Sequence, residues 1–379
     1  MSGPLHGLRV IEMAGLAPAP FAATMLADLG ADVIRVDRVT PGYDVLGIPG
    51  DPLRRSRRSI GLDVKSGQGA DLLRALVDRA DVFIEGFRPG VAERMGIGPR
   101  DCLARNPRLV YGRITGWGQT GPFAPVAGHD INYIGISGSL DPIGRAGERP
   151  VPPLNLVGDF GGGGLFLAMG ILAALYERGT SGRGQVVDAS MVDGSALLAT
   201  QLHGMYAKGL WPNGRGENML DGGAPFYDTY AAADGKFVAV GAIEERFWAD
   251  LLNVLGLDPE ALPSRADPAN WPRIREILAE RISSRTRDEW AALAEGTDAC
   301  LTPVLSLGEA PDHSHNVARG TFVEVDGIRQ AAPGPKFDRT PAAPPTAPSE
   351  TGADTDDVLT EFGVGTEDIA KLRAAGVIA

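Results

Sequence analysis

The chain has 379 residues, of which 44% are hydrophobic and 22% are charged, and its formal net charge is −12 at pH 7. This composition is typical of a soluble globular protein with a large core, and the length favours two domains over one. The negative charge argues against a nucleic-acid-binding surface, because phosphate contacts need a basic face. An anionic ligand must therefore be bound by a local cluster of arginines.

Only Cys102 and Cys300 carry thiols. This excludes a disulfide framework and a four-cysteine metal site, and it favours a reducing compartment. No run reaches the roughly 18 continuous apolar residues of a membrane span. The first residues lack a signal-peptide pattern, and the last three match neither a peroxisomal nor a lipidation signal. We therefore expect a cytoplasmic protein without a membrane span.

The first half of the chain alternates predicted strands with predicted helices. A turn is predicted at residues 14–20, helices at 21–29, 69–79 and 91–95, and strands at 8–13, 32–38, 59–64, 81–86 and 108–115. This order predicts a parallel sheet with right-handed crossovers, that is, an α/β doubly wound, Rossmann-like domain. Such sheets bind ligands at the carboxyl ends of their strands, although the dinucleotide fingerprint GxGxxG is absent.

The second half changes character after a predicted helix at residues 161–177. A strand at 185–189, a helix to about 208, a linker at 211–224, a hairpin at 226–240 and helices at 244–255, 274–281 and 287–294 follow. A second hairpin is predicted around 322–328 and a helix pair in 355–375. The predicted division is a large α/β domain (1–190), a linker helix and loop (191–224), a small α+β domain (225–315) and a return segment packing on the large domain (316–379).

Two motifs between residues 128 and 164 place acid/base groups near predicted helix starts. His129 precedes an apolar run, and the N-terminus of a helix there would keep its imidazole neutral and ready to accept a proton. A histidine capping its own helix, or bonded in the core, is the alternative. Asp159 precedes four glycines and is a natural N-cap. Because glycine weakens a helix, the run predicts close approach of backbone to a ligand.

Arginines form the basic clusters that an anionic ligand would need. A knot of Arg54, Arg55, Arg57 and Arg58 stands in an acidic protein, with Arg35, Arg38, Arg88 and Arg94 near predicted strand ends. The guanidinium fork binds two phosphate oxygens at once, which favours a polyphosphate ligand. Salt bridges at the surface are the alternative for each arginine alone.

Other motifs carry less weight. Glu244 and Glu245 begin a predicted helix, where acidic residues usually complement the helix dipole. His313 and His315 lie on a polar stretch, where exposure to solvent is more typical than metal binding. HExxH, CxxC, Walker A and GxSxG patterns are absent, and we expect no metal site.

At these residues the chain resembles the α-methylacyl-CoA racemases of the family III CoA-transferase superfamily. The resemblance covers nearly the whole chain and is carried, in order, by LHGLRVIEMAGLAPAPFAATMLADLGADVIRVDR, RRSIGLDVK, IEGFRPGVAERMGIGP, GRITGWGQTGP, AGHDINYIGISG, PVPPLNLVGDFGGGG, GQVVDASMVDG, GGAPFYDTY and VAVGAIEERF.

The resemblance implies an interlocked homodimer with its active site between the large domain of one subunit and the small domain of the other. It implies that His129 and Asp159 are the acid/base residues and that Glu244 pairs with the histidine across the interface. Asn155 resembles a supporting amide, and Asp130 the residue whose backbone N–H faces the thioester oxygen. The implied CoA site contains Arg38, Leu62, Val64, Lys65, Gly86, Arg88 and Arg94. Methionines at 191, 205 and 219 match an acyl surface or ordinary core packing equally well.

The reaction so implied is an isomerase's racemisation at C2 of 2-methyl-branched acyl-CoA thioesters through an enolate-like intermediate. No cofactor is implied, since CoA is part of the substrate. A CoA transferase with Asp159 as nucleophile is the alternative, although related transferases generally lack the GHDINY histidine context. A catalytically inactive CoA-binding protein is a third reading. The acyl chain stays open between sterol side chains, branched fatty acids and shorter acids.

Overall fold

The structure is a computed structural model that describes residues 2–40 and 47–379. These residues form two compact units. The first contains the described parts of Met1–Ser137 together with Leu154–Leu198 and Ser314–Ala379, and the second contains Gly138–Pro153 and Ala199–His313. These bounds differ from the predicted division. Residues 138–153 and 199–224 belong to the second unit, and residues 191–198 belong to the first.

The first unit is built on a six-stranded parallel sheet. Its strands are β1 (Arg9–Met13), β2 (Asp32–Asp37), β3 (Arg58–Gly61), β4 (Val82–Glu85), β5 (Val110–Thr115) and β6 (Val186–Ser190). Its helices up to this point are α1 (Pro18–Asp28), α2 (Gly67–Val77), α3 (Val91–Arg94), α4 (Pro99–Arg105), α5 (Asp130–Ile136), a π-helix (Leu156–Leu165), α6 (Phe166–Ser181) and α7 (Met191–Leu198). The strand order is β3-β2-β1-β4-β5-β6. This order reverses direction between β1 and β4, which is where doubly wound sheets open a crevice for ligands.

The second unit contains both helices and strands. It contains α8 (Thr200–Ala207), β7 (Tyr227–Ala231), β8 (Phe237–Gly241), α9 (Glu245–Leu255), α10 (Trp271–Ile282), α11 (Arg287–Ala294) and β9 (Leu301–Pro303). The strands form an antiparallel sheet in the order β7-β8-β9. The helices α9, α10 and α11 cover it through a core that includes Trp290, Leu251 and Leu278.

The C-terminal segment belongs to the first unit. It consists of α12 (Ser314–Arg319), the hairpin β10 (Phe322–Val325) and β11 (Ile328–Ala331), α13 (Thr355–Glu361) and α14 (Thr366–Ala374). Val358, Leu359 and Ile369 join the hydrophobic core on one face of the parallel sheet. The opposite face packs against α1 and α6 through residues such as Leu26 and Ile171. Helices therefore cover both faces, and the expectation of a doubly wound sheet is confirmed.

The π-helix and α6 run together as one apolar helix, Leu156–Ser181, that is long and apolar enough to cross a membrane by length and composition alone. The sequence was expected to contain no such stretch. Leu167, Ile171 and Ala174 of this helix are buried in the core of the sheet. It is thus packed as the central helix of a folded domain, which makes its length weak evidence for a membrane span.

Local differences from the predicted elements have simple causes. The helix α1 begins at Pro18 rather than at Phe21, because the first helical turn tolerates proline, whose missing N–H has no intrahelical acceptor there. The stretch expected as one helix up to about residue 208 is two helices, α7 and α8. Three short elements, α4, α12 and β9, were not predicted.

Candidate active site

His129 is the N-cap of α5 and has extended backbone, with φ −132° and ψ 173°. Its backbone N–H donates to Oδ1 of Asn132 at 3.0 Å, and its carbonyl accepts the backbone N–H of Asn132 at 2.8 Å. These reciprocal bonds hold the backbone of the first helical turn. The residue is exposed. The structure therefore combines a held backbone with an accessible imidazole.

Asp130 links this helix to the π-helix. Its Oδ1 accepts the backbone N–H of Asp159 at 2.6 Å, and the backbone of Gly158 donates to the same carboxyl group. Burial raises the pKa of Asp130, against the two backbone bonds, which lower it. The Asp130 carboxyl group thus holds the turn that carries Asp159.

Asp159 lies inside the π-helix, so the prediction that it caps a helix is wrong. The helix starts earlier, with Asn155 as its N-cap, and the N–H of Phe160 bonds the carbonyl of Asn155 at 3.3 Å in the i to i−5 pattern. π-helical turns are rare and frequently occur at functional sites. Nδ2 of Asn155 donates to Oδ2 of Asp159 at 3.2 Å.

The electrostatics of Asp159 show which groups surround it. Burial raises the pKa of Asp159, the hydrogen bond from Asn155 lowers it, the charge of Asp130 raises it, and the charge of His129 lowers it. Burial prevails, and the pKa lies above that of an ordinary aspartate. The structure therefore brings His129, Asp130, Asn155 and Asp159 together, within electrostatic range of one another.

Tyr133 is a member of this cluster that the sequence analysis missed. Its hydroxyl donates to the carbonyl of Gly128, and its ring packs edge-on against Trp117 with centroids 4.8 Å apart. A Cβ at Gly128 would lie 2.7 Å from the ring, and one at Gly116 would overlap it. The available signal in the sequence was a pair of glycines near Tyr133, Gly116 and Gly128, which leave room for its ring.

One residue of the predicted CoA site, Arg88, acts electrostatically on Tyr133. Burial raises the pKa of Tyr133 to about 12, the charges of Asp159 and Asp130 add to this, and the charge of Arg88 lowers it. Arg88 is therefore close enough to Tyr133 to act on it electrostatically.

The predicted CoA residues follow the carboxyl ends of β2, β3 and β4. They are Arg38 after β2, Leu62, Val64 and Lys65 after β3, and Gly86, Arg88 and Arg94 after β4. The charged ones are exposed, as a phosphate site requires. Leu62 differs, because its side chain is buried in the core and its backbone bridges to Ile378. The Leu62 side chain is therefore not available to a ligand.

Three of the four arginines in the basic knot are bound to carboxylates of the protein itself. Arg55 forms an ion pair with Asp28 at 2.5 Å, Arg57 with Glu12, and Arg58 with Asp32 at 2.6 Å. Arg35 is likewise buried and pairs with Asp37 at 2.7 Å. These arginines neutralise carboxylates on α1, β1 and β2, so the polyphosphate prediction is wrong for them and stays a prediction for Arg38, Arg88 and Arg94.

The glycine run also has a structural cause. A Cβ at Gly162 would lie 2.7 Å from the backbone N of Ser195 in α7, and one at Gly164 would lie 2.7 Å from the carbonyl of Pro18 in α1. The run allows three helices to cross closely. The expectation that it faces a ligand is therefore wrong for these two glycines.

The remaining candidates are Glu244 and the methionines. Glu244 is the exposed N-cap of α9 in the second unit. Met191 is buried in the first unit, where it contacts the position of a Gly163 Cβ, and Met219 packs on the core of the second. Among the described residues, no group of three or more histidine, cysteine or acidic side chains is arranged to hold a metal ion.

Fold and site together define a member of the CoA-transferase family III: the model of that family matches residues 5–355, and the chain belongs to it. Among curated proteins it is similar to alpha-methylacyl-CoA racemase of Mus musculus, with 49% identity over 378 residues that cover 99% of this chain and 97% of the mouse protein. It is 46% identical to alpha-methylacyl-CoA racemase of Homo sapiens, with 99% and 97% of the two chains covered. Among solved structures it resembles a CAIB/BAIF family protein from Brucella suis, with a TM-score of 0.81, 27% identity, and 96% and 100% coverage.

Proposed function

We propose that this chain is an isomerase that racemises 2-methyl-branched acyl-CoA thioesters at C2. The observation that carries the proposal is the pairing of two acid/base groups, His129 and Asp159, on the first turns of two helices that the Asp130 carboxyl group links. Inversion at carbon needs one group to remove the proton from one face and another to return a proton to the opposite face. The similarity to racemases of mouse and man supports the same assignment.

The chemistry follows from these residues. The base on one face takes the C2 proton, and the C–H electron pair passes into the thioester to form an enolate. The acid on the other face then protonates C2, and the second enantiomer results. Each positioned acid/base group contributes about 10²–10⁴-fold to such a reaction. Which residue serves which enantiomer is open.

The negative charge on the enolate oxygen requires a donor. We assign this role to the backbone N–H of Asp130, because the first N–H groups of a helix have no intrahelical acceptor and point out of its N-terminus. Arg38, Val64, Lys65, Gly86, Arg88 and Arg94, with the backbone of Leu62, are assigned to CoA. CoA belongs to the substrate, and the reaction as written uses no cofactor.

We further propose an interlocked homodimer in the cytoplasm, in which Glu244 of one subunit orients His129 of the other. The exposed position of Glu244 at the N-cap of α9 supports this pairing. A carboxylate beside the imidazole would fix its tautomer and stabilise its protonated form. The two free thiols, Cys102 and Cys300, are consistent with a reducing compartment.

The test is racemisation in D₂O of an enantiopure 2-methylacyl-CoA with no acceptor carboxylate. We expect deuterium at C2 in both epimers, and loss of epimer formation in His129→Ala and in Asp159→Asn. A single remaining base still exchanges the proton on its own face, so each variant should exchange, with retention, only the enantiomer whose C2 proton faces that base. Transfer of CoA to an added carboxylate, without exchange, would instead establish the transferase with Asp159 as nucleophile, which the family match keeps as the second candidate.

A further inference from the structure

A buried ion pair lies at the carboxyl ends of β4 and β5. Glu85 and Arg113 are neighbours in the parallel register of these strands, and they are 0% and 6% exposed. Nε of Arg113 donates to Oε1 of Glu85 at 3.0 Å. Because desolvation offsets most of the attraction in a buried pair, such a pair is weak evidence for stability. Its position suggests another role.

Both partners extend to the segment that follows β4. The second carboxylate oxygen of Glu85 accepts the backbone N–H of Phe87 at 2.7 Å, and Nη1 of Arg113 donates to Oε1 of Glu93 at 2.9 Å. Glu93 also accepts a hydrogen bond from the backbone of Gly90. The network therefore holds the segment 86–94 at three places: at Phe87, at the turn that contains Gly90, and at Glu93 in α3.

Arg88 and Arg94 belong to this segment. Arg88 lies between Phe87 and Gly90, whose backbones are bonded, and Arg94 directly follows Glu93. Their side chains are exposed, and the backbone of this segment sets the two positions from which the guanidinium groups extend. A binding segment held in place before the ligand arrives loses less entropy when the ligand binds.

We propose that Glu85 and Arg113, through Glu93, are positioning residues for the CoA moiety and set its affinity without taking part in proton transfer. This inference rests on the proposed placement of CoA at Arg88 and Arg94. Burial raises the pKa of Glu85 to about 7, and the bonds from Phe87 and Arg113 lower it against that effect.

A second buried pair provides a matched control. Arg55 donates through Nε and Nη2 to Asp28 at 3.0 and 2.5 Å, both residues are buried, and the other Arg55 bonds go to Gln330 and Ala331. It resembles the Glu85–Arg113 pair in burial but has no bond to residues 86–94. Asp28→Asn therefore measures what losing a buried pair does to the fold alone.

The experiment compares two substrates, a 2-methylacyl-CoA and the same acyl group on pantetheine, which lacks the nucleotide and its phosphates. In Glu85→Gln and in Glu93→Gln we expect KM for the acyl-CoA to rise about tenfold with kcat within about twofold, which is the pattern of lost ground-state binding. KM for the acyl-pantetheine should stay at its wild-type value. Glu93 is half-exposed, with 45% of its side chain accessible, so its variant folds even if Glu85→Gln does not.

Arg88→Ala separates this inference from the proposed CoA site. If Arg88→Ala raises KM for the acyl-CoA and the Glu85 and Glu93 variants do not, the positioning role is wrong and the CoA site stands. If Arg88→Ala also leaves KM unchanged, the proposed placement of CoA is wrong and the positioning role fails with it. Equal increases for both substrates, or an increase in Asp28→Asn, would reduce Glu85 and Arg113 to general structural residues.

Discussion

At the scale of single residues, the candidate active site depends on hydrogen bonds that hold backbone more than on bonds between catalytic side chains. Asp130 bonds the backbone of Asp159, Asn132 that of His129, and Tyr133 the carbonyl of Gly128. Asn155 is the exception, since its amide bonds the Asp159 carboxylate directly. Replacing Asn155 should therefore change the pKa of Asp159. Replacing Asp130, Asn132 or Tyr133 should instead change the position of the backbone that each side chain holds.

Asn155→Ala should shift the pH dependence of racemisation. Burial already raises the pKa of Asp159 and the bond from Asn155 lowers it, so losing that bond raises it further. Asp159 must be ionised to act as a base. Its activity should therefore be lost at a higher pH than in the wild type as the solution is acidified.

The measurement is the acidic limb of kcat/KM for each enantiomer, and only the direction in which Asp159 is the base should respond. Asn132→Ala is the control, because its side chain bonds the backbone of His129 and not Asp159. An acidic limb that stays in place in Asn155→Ala would contradict the assignment.

Tyr133→Phe should slow catalysis beyond its effect on stability. The hydroxyl holds the carbonyl that precedes His129, and a shift of about 1 Å at a reacting group can cost about 100-fold, so we expect kcat to fall about tenfold. Tyr111→Phe is the matched control, since that buried hydroxyl donates to the carbonyl of Ile97 at 3.0 Å and has no bond to the backbone that carries His129. Each loses a bond that contributes about 0.5–1.5 kcal/mol to the free energy of unfolding. Equal kcat values in the two variants would remove Tyr133 from the site.

At the scale of elements, the π-helix, α1 and α7 form a crossing that only glycine permits. The Phe21 and Phe160 rings, with centroids 4.8 Å apart, close one side of it. The close crossing next to Asp159 supports the backbone that carries its carboxyl group, which suits the acid/base role proposed for this residue.

Gly162→Ala should destabilise the fold, because its Cβ would meet Ser195 at 2.7 Å and overpacking costs about 1–3 kcal/mol. Gly179, in the continuation of the same helix, has open space around its Cβ position. Gly179→Ala should stabilise the helix by about 0.5–1 kcal/mol. Urea unfolding of the two variants measures both signs, and a stable Gly162→Ala protein would show that the crossing is looser than described.

At the scale of the whole molecule, the proposed dimer makes two predictions, and the first concerns the active site. If His129 and Glu244 come from different subunits, His129→Ala and Glu244→Ala proteins should each be inactive, and mixing them by co-expression should restore activity. In a twofold-symmetric heterodimer one site carries both substitutions and the other carries none, so about a quarter of all sites should be intact. Failure to complement, with dimers confirmed, would place the pair within one chain.

The second prediction concerns the surface through which the proposed dimer would form. Leu165, Met169 and Tyr176 share one face of the long helix and are 47%, 54% and 86% exposed. A row of this kind marks an interaction surface on a folded chain. Tyr176→Arg should lower the mass measured by light scattering, whereas Leu293→Arg on α11 should not. An unchanged mass in Tyr176→Arg would exclude this face.

Much of the fold could be read from the sequence alone. Buried apolar strands that alternate with helices leave a parallel sheet as the solution, and this order is local information that each segment carries by itself. The helix α11 matches its predicted bounds, and both hairpins lie where Asp-Gly turns indicated. The sequence indicated His129 and Asp159 as candidates because acid/base side chains stand there beside glycines and apolar runs, and their catalytic roles stay predictions.

Other features were decided by tertiary structure. Arg55, Arg57 and Arg58 looked like a phosphate site because a sequence lists charges without their partners, and those partners, Asp28, Glu12 and Asp32, come from other elements. The glycine run looked like a ligand loop because the helices that cross it are distant in the chain. The π-helix that carries Asp159 likewise depends on tertiary structure. The backbone N–H of Asp159 bonds the Asp130 carboxyl group, which lies 29 positions earlier in the chain. Local propensity determined the elements, and only packing between distant segments determined which polar groups are satisfied inside the fold and which are left for a substrate.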